Sequence, residues 1–145
     1  MFEGEYLNGK KWKGTEKIYD KDTGNFIFQC EYLNGIIDGE AKEYDKFTGD
    51  LLFEGKYLNG KRNGKGIKYK FVPIGKTESH LSCNKIIFIG EYIDGTKVRG
   101  KEYNYNGNLI YEGEYTNDKR NGKGKLYNNG RLIYEGDLIT VLDVF

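Results

Sequence analysis

His80 and Cys83 have the side chains of this sequence best suited to metal binding or covalent catalysis, and they lie three residues apart. A histidine and a cysteine can ligate zinc together or act as base and nucleophile. A zinc site needs about four ligands, and no carboxylate or second thiol with ligand spacing accompanies this pair. The sequence therefore predicts no metal site, no cofactor and no catalytic residue, and His80 remains only a candidate binding residue.

Lysine and arginine recur in three segments, at Lys10–Lys13, Lys61–Lys65 and Lys119–Lys123. Positive charge gathered on one edge of the molecule could bind phosphate groups or an acidic partner. The candidate side chains for such a basic stripe are Lys61, Arg62, Lys119 and Arg120. Glutamates in the adjoining segments favour the alternative, in which these charges pair with one another across strands.

Overall charge excludes a strong nonspecific attraction to polyanions. The chain of 145 residues has 23 Lys and Arg against 22 Asp and Glu, a net charge of +1, so we expect no nucleic-acid partner. No apolar segment approaches the roughly 18 residues of a membrane span, and no signal peptide is recognisable. We expect a cytoplasmic protein, at most peripheral to a membrane. Trp12, the only tryptophan, could anchor an interface or cap the first repeat.

A repeat organises the elements that must position these residues. Each copy has an aromatic residue, a glycine two residues later and a tyrosine two residues after that. Copies begin near residues 2, 28, 53, 88 and 111, and a partial copy begins at 134. The recurring positions are Gly4, Tyr6, Tyr32, Gly55, Tyr57, Gly90, Tyr92, Gly113 and Tyr115. Cys30 replaces the glycine of the second copy.

The repeat predicts an all-β fold. Alternation places Tyr111, Gly113 and Tyr115 on one face of a strand, and Asn-Gly pairs at 8–9, 34–35 and 59–60 favour tight hairpin turns. We expect tandem antiparallel β-hairpins in one extended, twisted, single-layer sheet. Each glycine should leave room for the tyrosine ring of a neighbouring strand to lie flat against the backbone. An apolar triplet precedes each copy, as at 51–53, and its middle residue should point away from the tyrosine face.

The copies FEGKYLNGKRNGKGIKY, from Phe53, and YEGEYTNDKRNGKGKLYNNG, from Tyr111, resemble the MORN repeat (membrane occupation and recognition nexus). The resemblance covers residues 2–137 and implies a single repeat array over 1–145. For function it implies adhesion to proteins or to phospholipids. Tyrosine stands here where the family often has tryptophan. That feature, the longer repeats and Cys30 also resemble a related bacterial repeat of an antitoxin-like family.

We therefore predict a non-catalytic protein–protein interaction or scaffolding module. The alternatives are peripheral binding to an anionic membrane through the basic turns and neutralisation of a bacterial toxin. Residues 71–85 form an insertion that could contact a partner or be a tolerated surface loop. The tail at 138–145 is apolar, and the terminal strands could join copies into a homo-oligomer.

Overall fold

A computed structural model describes residues 1–73 and 82–139. His80, most of the insertion and the tail beyond 139 lie outside the described residues. The eleven strands are β1 (Phe2–Leu7), β2 (Lys10–Tyr19), β3 (Phe26–Leu33), β4 (Ile36–Tyr44), β5 (Leu51–Leu58), β6 (Lys61–Pro73), β7 (Ser82–Ile93), β8 (Thr96–Tyr103), β9 (Leu109–Thr116), β10 (Lys119–Asn128) and β11 (Arg131–Leu138). They form one antiparallel sheet in sequence order, which confirms the predicted all-β hairpin array.

Tight turns join the two strands of each hairpin. Asn8 and Gly9 have φ angles of 51° and 76°, and Asn59 and Gly60 have 52° and 77°. Two successive positive φ angles define the hairpin turn whose twist matches that of the flanking strands, and asparagine and glycine tolerate them best. Asn34 and Gly35 have similar φ angles of 54° and 81°, so the three predicted Asn-Gly turns are confirmed.

Side-chain hydrogen bonds hold two of the turns between hairpins. The Asp45 carboxylate accepts the backbone N–H groups of Phe47 and Thr48, each at 2.8 Å. Asp20 accepts the N–H of Thr23 at 2.8 Å in the same way. These hydrogen bonds hold the pKa values of both carboxyls below their ordinary range. An aspartate that caps its own turn replaces the hydrogen bonds that the strands no longer supply.

Aromatic rings on one face of the sheet provide most of the buried core. Phe53, Tyr92, Phe88 and Tyr111 are almost fully buried. Ring contacts connect, in order, Phe28, Tyr57, Phe53, Tyr92, Phe88, Tyr115 and Tyr111, with centroids 5.3 to 6.1 Å apart. We call this series the aromatic ladder. Its contacts are edge-to-face, the geometry that the aromatic quadrupole favours.

A row of glycines crosses the sheet beneath the ladder. Direct pairing connects Gly55, Gly66, Gly90, Gly100, Gly113, Gly124 and Gly136, one on each strand from β5 to β11. A Cβ built on Gly66 would lie 2.6 Å from the Phe53 ring, and one on Gly55 would lie 2.6 Å from the Cα of Gly66. The predicted need for space beside a ring of the neighbouring strand is therefore confirmed, although the ring at Gly66 is that of Phe53 rather than of a tyrosine. The structure adds a second reason: the backbone of the paired strand, like the ring, occupies the space that a side chain would need.

Cys30 and Ala41 occupy this row on β3 and β4, where they pair with each other. Cys30 is fully buried, and Ala41 is 2% exposed. Burial raises the pKa of the Cys30 thiol to about 11, so the thiol stays protonated at neutral pH and is a poor nucleophile. Cys30 therefore fills space beside the ladder.

The apolar triplets coincide with β-bulges. In the triplet Leu51–Phe53, the ends pair with Tyr44 and Glu43, which are adjacent, so Leu52 has no direct partner. The same register shift occurs at all five triplets. Strict alternation is therefore interrupted at this point, and the direction of the middle residue stays a prediction. The first residue of the first triplet, Phe26, packs against Tyr19 and Tyr44, with ring centroids 5.6 and 4.7 Å away.

Candidate functional site

Charged side chains cover the aromatic ladder and pair with its tyrosines. In the fifth repeat, the Tyr115 hydroxyl donates a 2.6 Å hydrogen bond to Glu102, and Arg120 donates to the same carboxylate at 2.5 Å. The Arg120 guanidinium lies 4.9 Å from the centre of the Tyr111 ring. We call this arrangement a Glu–Tyr–Arg triad. In it the carboxylate accepts a hydrogen bond from the buried hydroxyl, and the arginine balances the charge of the carboxylate.

The third repeat has a second triad. Arg62 lies 2.6 Å from Glu43 and 4.1 Å from the centre of the Phe53 ring. Both charged groups interact with Tyr57, whose pKa is raised to about 12, chiefly by burial. Each triad takes its three residues from three successive strands, β4 to β6 and β8 to β10. The triads therefore tie one hairpin to the next.

The second repeat satisfies its tyrosine differently. Isoleucines stand at the glutamate and arginine positions, since Ile18 pairs with Phe28 and Ile37 pairs with Tyr32. The Tyr32 hydroxyl instead donates to Glu16 at 2.8 Å, and Lys11 pairs with the same carboxylate. A carboxylate therefore still accepts a hydrogen bond from the tyrosine hydroxyl, but this carboxylate stands at a different position of the repeat.

The triads place the predicted basic residues in two environments. Arg62 and Arg120 lie on the aromatic face in ion pairs, whereas Lys61 and Lys119 are exposed beside the turns. Both arginines pair across strands, but with Glu43 and Glu102 rather than with the glutamates of the adjoining strands that the sequence favours. Trp12 lies against the second hairpin, with its ring 3.7 Å from a Cβ built on Gly35, and stays 36% exposed.

A groove of about 1050 Å³ crosses the opposite face of the sheet, from β4 to β10. Five glutamates and six lysines or arginines line it, over a floor that includes backbone of the glycine row. We call it the charged groove. Its charged side chains are Glu40, Lys42, Glu54, Lys56, Lys65, Glu91, Arg99, Lys101, Glu112, Glu114 and Lys123.

Opposite charges face each other along the charged groove. Glu91 lies 3.5 Å from Arg99, and Lys101 lies 3.9 Å from Glu112. Ile67 and Ile89, which pair directly, interrupt the charges near the centre, and Ile89 is 39% exposed. The surface therefore presents alternating charge around a small apolar patch.

Sequence reasoning missed both the groove and the acidic members of the triads. The glutamates between ladder residues, as in Tyr111–Tyr115, were visible as the outward half of an alternating pattern. Their ion pairs with lysines of the neighbouring strand depend on the register between repeats, which the sequence does not specify. Glu43 and Glu102 gave no local signal, because their partners lie 19 and 18 residues away.

Residues 1–73 and 82–139 contain no group of three potential metal ligands. Within the same ranges, no helix is long and apolar enough to cross a membrane.

Comparison with known families identifies two segments of the chain. The sequence model of the MORN repeat matches residues 53–70 and 111–130. These two segments include Tyr57 and Arg62 in one case and Tyr115 and Arg120 in the other, so each contains the tyrosine and the arginine of one triad. The glutamate of each triad comes from the preceding repeat. No curated protein matches the chain significantly.

Proposed function

This chain contains MORN repeats at residues 53–70 and 111–130, and we propose that it is a non-catalytic protein–protein interaction module whose partner binds in the charged groove. The observation that carries the proposal is the groove itself. It is open, it crosses seven strands, and its charged side chains are exposed or partly exposed. A rigid sheet face of this kind presents many side chains to a partner without a conformational change.

The pattern of charge indicates the chemistry of the partner. Because five acidic and six basic side chains alternate, the groove favours a segment that also carries both signs. Complementary charge mainly sets specificity and association rate, whereas buried apolar contacts supply most of the affinity. Ile67 and Ile89 are the residues placed to make those apolar contacts. A bacterial toxin would be one partner of this class.

Membrane binding receives less support. An anionic membrane attracts a surface with positive charge in excess, and the groove has nearly equal numbers of both signs. Arg62 and Arg120 already pair with Glu43 and Glu102. The membrane hypothesis therefore depends on the turn lysines Lys61 and Lys119. Salt-sensitive flotation with anionic liposomes, lost when both lysines are changed to glutamine, would favour it over the groove.

Photocrosslinking tests the groove directly. A photoreactive amino acid at Ile89, in the groove, should crosslink the partner, whereas the same amino acid at Ile93 should not. Ile93 is a matched control because it lies on the same strand and is 55% exposed. Once the partner is identified, Ile89→Asp should weaken binding at least about tenfold, since an interface anchor contributes more than about 1.4 kcal/mol. Equal crosslinking at both positions, or unchanged affinity, would contradict the proposal.

A further inference from the structure

The junction between the third and fourth repeats has a tyrosine of the triad type without its carboxylate. Register identifies the equivalent positions. Glu43 and Glu102 pair with Phe53 and Tyr111, and Lys68 pairs with Phe88. Arg62 and Arg120 pair with Tyr57 and Tyr115, and Lys97 pairs with Tyr92. The junction therefore has Lys68, Tyr92 and Lys97 where the neighbouring repeats have glutamate, tyrosine and arginine.

The Tyr92 hydroxyl has no hydrogen-bond partner among the described residues. Tyr92 is 1% exposed, so the hydroxyl is buried. The Arg62 guanidinium acts on the pKa of Tyr92 through its charge and as a side-chain donor. A guanidinium only donates, so the hydroxyl proton still has no acceptor among the described residues. A buried polar group without a partner destabilises a protein by about 1–3 kcal/mol. In two other repeats the equivalent tyrosine hydroxyl interacts with a glutamate. The Tyr92 hydroxyl has no such acceptor for its hydrogen bond.

Lys68 and Lys97 provide positive charge at the same junction. The Lys97 ammonium lies 4.6 Å from the centre of the Phe88 ring and 5.5 Å from that of Tyr115. Neither lysine forms an ion pair with any described residue, and both are partly exposed. Burial and the charge of Lys68 lower the pKa of Lys97. Two ammonium groups that repel each other are stabilised by an anion between them.

The acidic groups around the junction are engaged elsewhere. Glu43 pairs with Arg62, and Glu102 pairs with Arg120 and Tyr115. Asp118 accepts the backbone N–H of Lys97 at 2.9 Å. The charges of Glu102 and Asp118 each favour a higher pKa of Lys97, but neither carboxylate forms an ion pair with its ammonium group. Among the described residues, no carboxylate therefore accepts a hydrogen bond from the Tyr92 hydroxyl, although Asp118 and Glu43 act on its pKa through their charge.

We propose that Lys68, Tyr92 and Lys97 form a carboxylate-binding site, in which an external carboxylate takes the place that Glu43 and Glu102 hold in the neighbouring repeats. A hydroxyl and two ammonium groups can share the two oxygens of a carboxylate. The carboxylate has two possible sources, a small organic acid or an acidic side chain of a protein. Only the second source rests on the proposed protein-binding function, and it requires a partner that reaches the aromatic face as well as the charged groove on the opposite face.

Lys68→Glu is the decisive variant, because it rebuilds a triad from the protein's own residues. The unfolding midpoints of wild type and variant should be compared in sodium acetate and sodium chloride at equal ionic strength. Acetate should raise the wild-type midpoint in a concentration-dependent way. Lys68→Glu should raise the midpoint in chloride by about 3 °C or more and remove the response to acetate. Lys21→Glu, the same charge change on an exposed turn, should leave the response intact.

A direct readout separates binding from a general effect on stability. Tyrosine labelled with carbon-13 at the ring Cζ should show a shift of the Tyr92 signal on addition of acetate, absent in Lys68→Glu. Tyr92→Phe assigns that signal. A site for carboxylates would be overturned by an unresponsive Tyr92 signal together with a Lys68→Glu midpoint no higher than wild type. A stronger response to inorganic phosphate than to acetate would also overturn the assignment.

The source of the carboxylate is tested with a hexaglutamate peptide. A midpoint shift from the peptide at a concentration where acetate has no effect assigns the site to protein side chains, and equal potency per carboxylate assigns it to small acids. The proposed function fails separately. An acetate response at Tyr92 without partner crosslinking at Ile89 contradicts the interaction function and leaves the site intact.

Discussion

Single charged residues decide whether the aromatic ladder is satisfied. Glu102 accepts hydrogen bonds from Tyr115 and Arg120, and its side chain is 20% exposed. A carboxylate in this position is expected to matter far more than the exposed carboxylates of the charged groove. The reason is that its loss leaves both a buried hydroxyl and a partly buried cation without a partner.

We predict that Glu102→Ala lowers the free energy of unfolding by about 2–3 kcal/mol. Glu112→Ala should lower it by less than about 0.5 kcal/mol, because its ion pair with Lys101 is long and exposed. Urea unfolding followed by tyrosine fluorescence measures both values. Equal effects of the two substitutions would contradict the structural role assigned to the triad.

The same residue predicts how stability depends on pH. Burial raises the pKa of Glu102, but hydrogen bonds from Arg120 and Tyr115 outweigh it, so the pKa lies below its ordinary value. A carboxyl with a lowered folded-state pKa contributes stability above its unfolded pKa of about 4.3. That contribution is lost as pH falls through the folded-state pKa.

We therefore predict a decrease in the urea midpoint as pH falls from about 5 to 3. Glu102→Gln, which cannot titrate, should be less stable than wild type at pH 7 and should lose less stability over this interval. A parallel decrease in the two proteins would assign the acid sensitivity to other carboxyls, such as Glu16, whose pKa is also lowered.

At the scale of the element, each strand of a repeat has two faces with different requirements. On the ladder face of β6, Gly66 must lack a side chain because the Phe53 ring occupies that space. On the groove face of the same strand, Lys65 is exposed. Neighbouring positions should therefore tolerate substitution very differently.

We predict that Gly66→Ala destabilises the protein by about 1–3 kcal/mol, the usual cost of overpacking. The backbone at Gly66 does not have a positive φ, so the cost reports on space alone. Lys65→Ala, the adjacent control, should change stability by less than about 0.5 kcal/mol. Thermal unfolding of the two variants distinguishes them, and a neutral Gly66→Ala would show that the Phe53 ring can move.

At the scale of the whole molecule, the sheet is open and every strand pairs only with its sequence neighbours. Within residues 1–73 and 82–139, the two edge strands β1 and β11 each pair with a strand on one side only. On β11, Leu132, Ile133 and Tyr134 are 50%, 62% and 42% exposed. Exposed apolar edge strands favour pairing with another chain.

We predict concentration-dependent self-association through β11, measured by light scattering over a series of protein concentrations. Ile133→Lys should reduce it, because a charge on an edge strand disfavours pairing between chains. Ile36→Lys is a suitable control, since Ile36 is an exposed isoleucine of an interior strand. A monomer at all concentrations would contradict this expectation.

The sequence by itself determined the repeat, the hairpins and the role of the glycines. These features depend on local physics, since turn preferences act between adjacent residues and alternation acts within one strand. Asn8 with Gly9, and Phe53 with Gly55, therefore appear in the structure as predicted.

Only the tertiary structure decided which charges meet. The β-bulges at the triplets shift the register between strands, so that Glu43 meets Arg62 and Lys68 comes into the place of a glutamate near Tyr92. A shift of one residue moves a side chain to the other face of a sheet. For that physical reason, the lysines and arginines of one sequence motif divide in the folded protein between the triads, the turns and the charged groove.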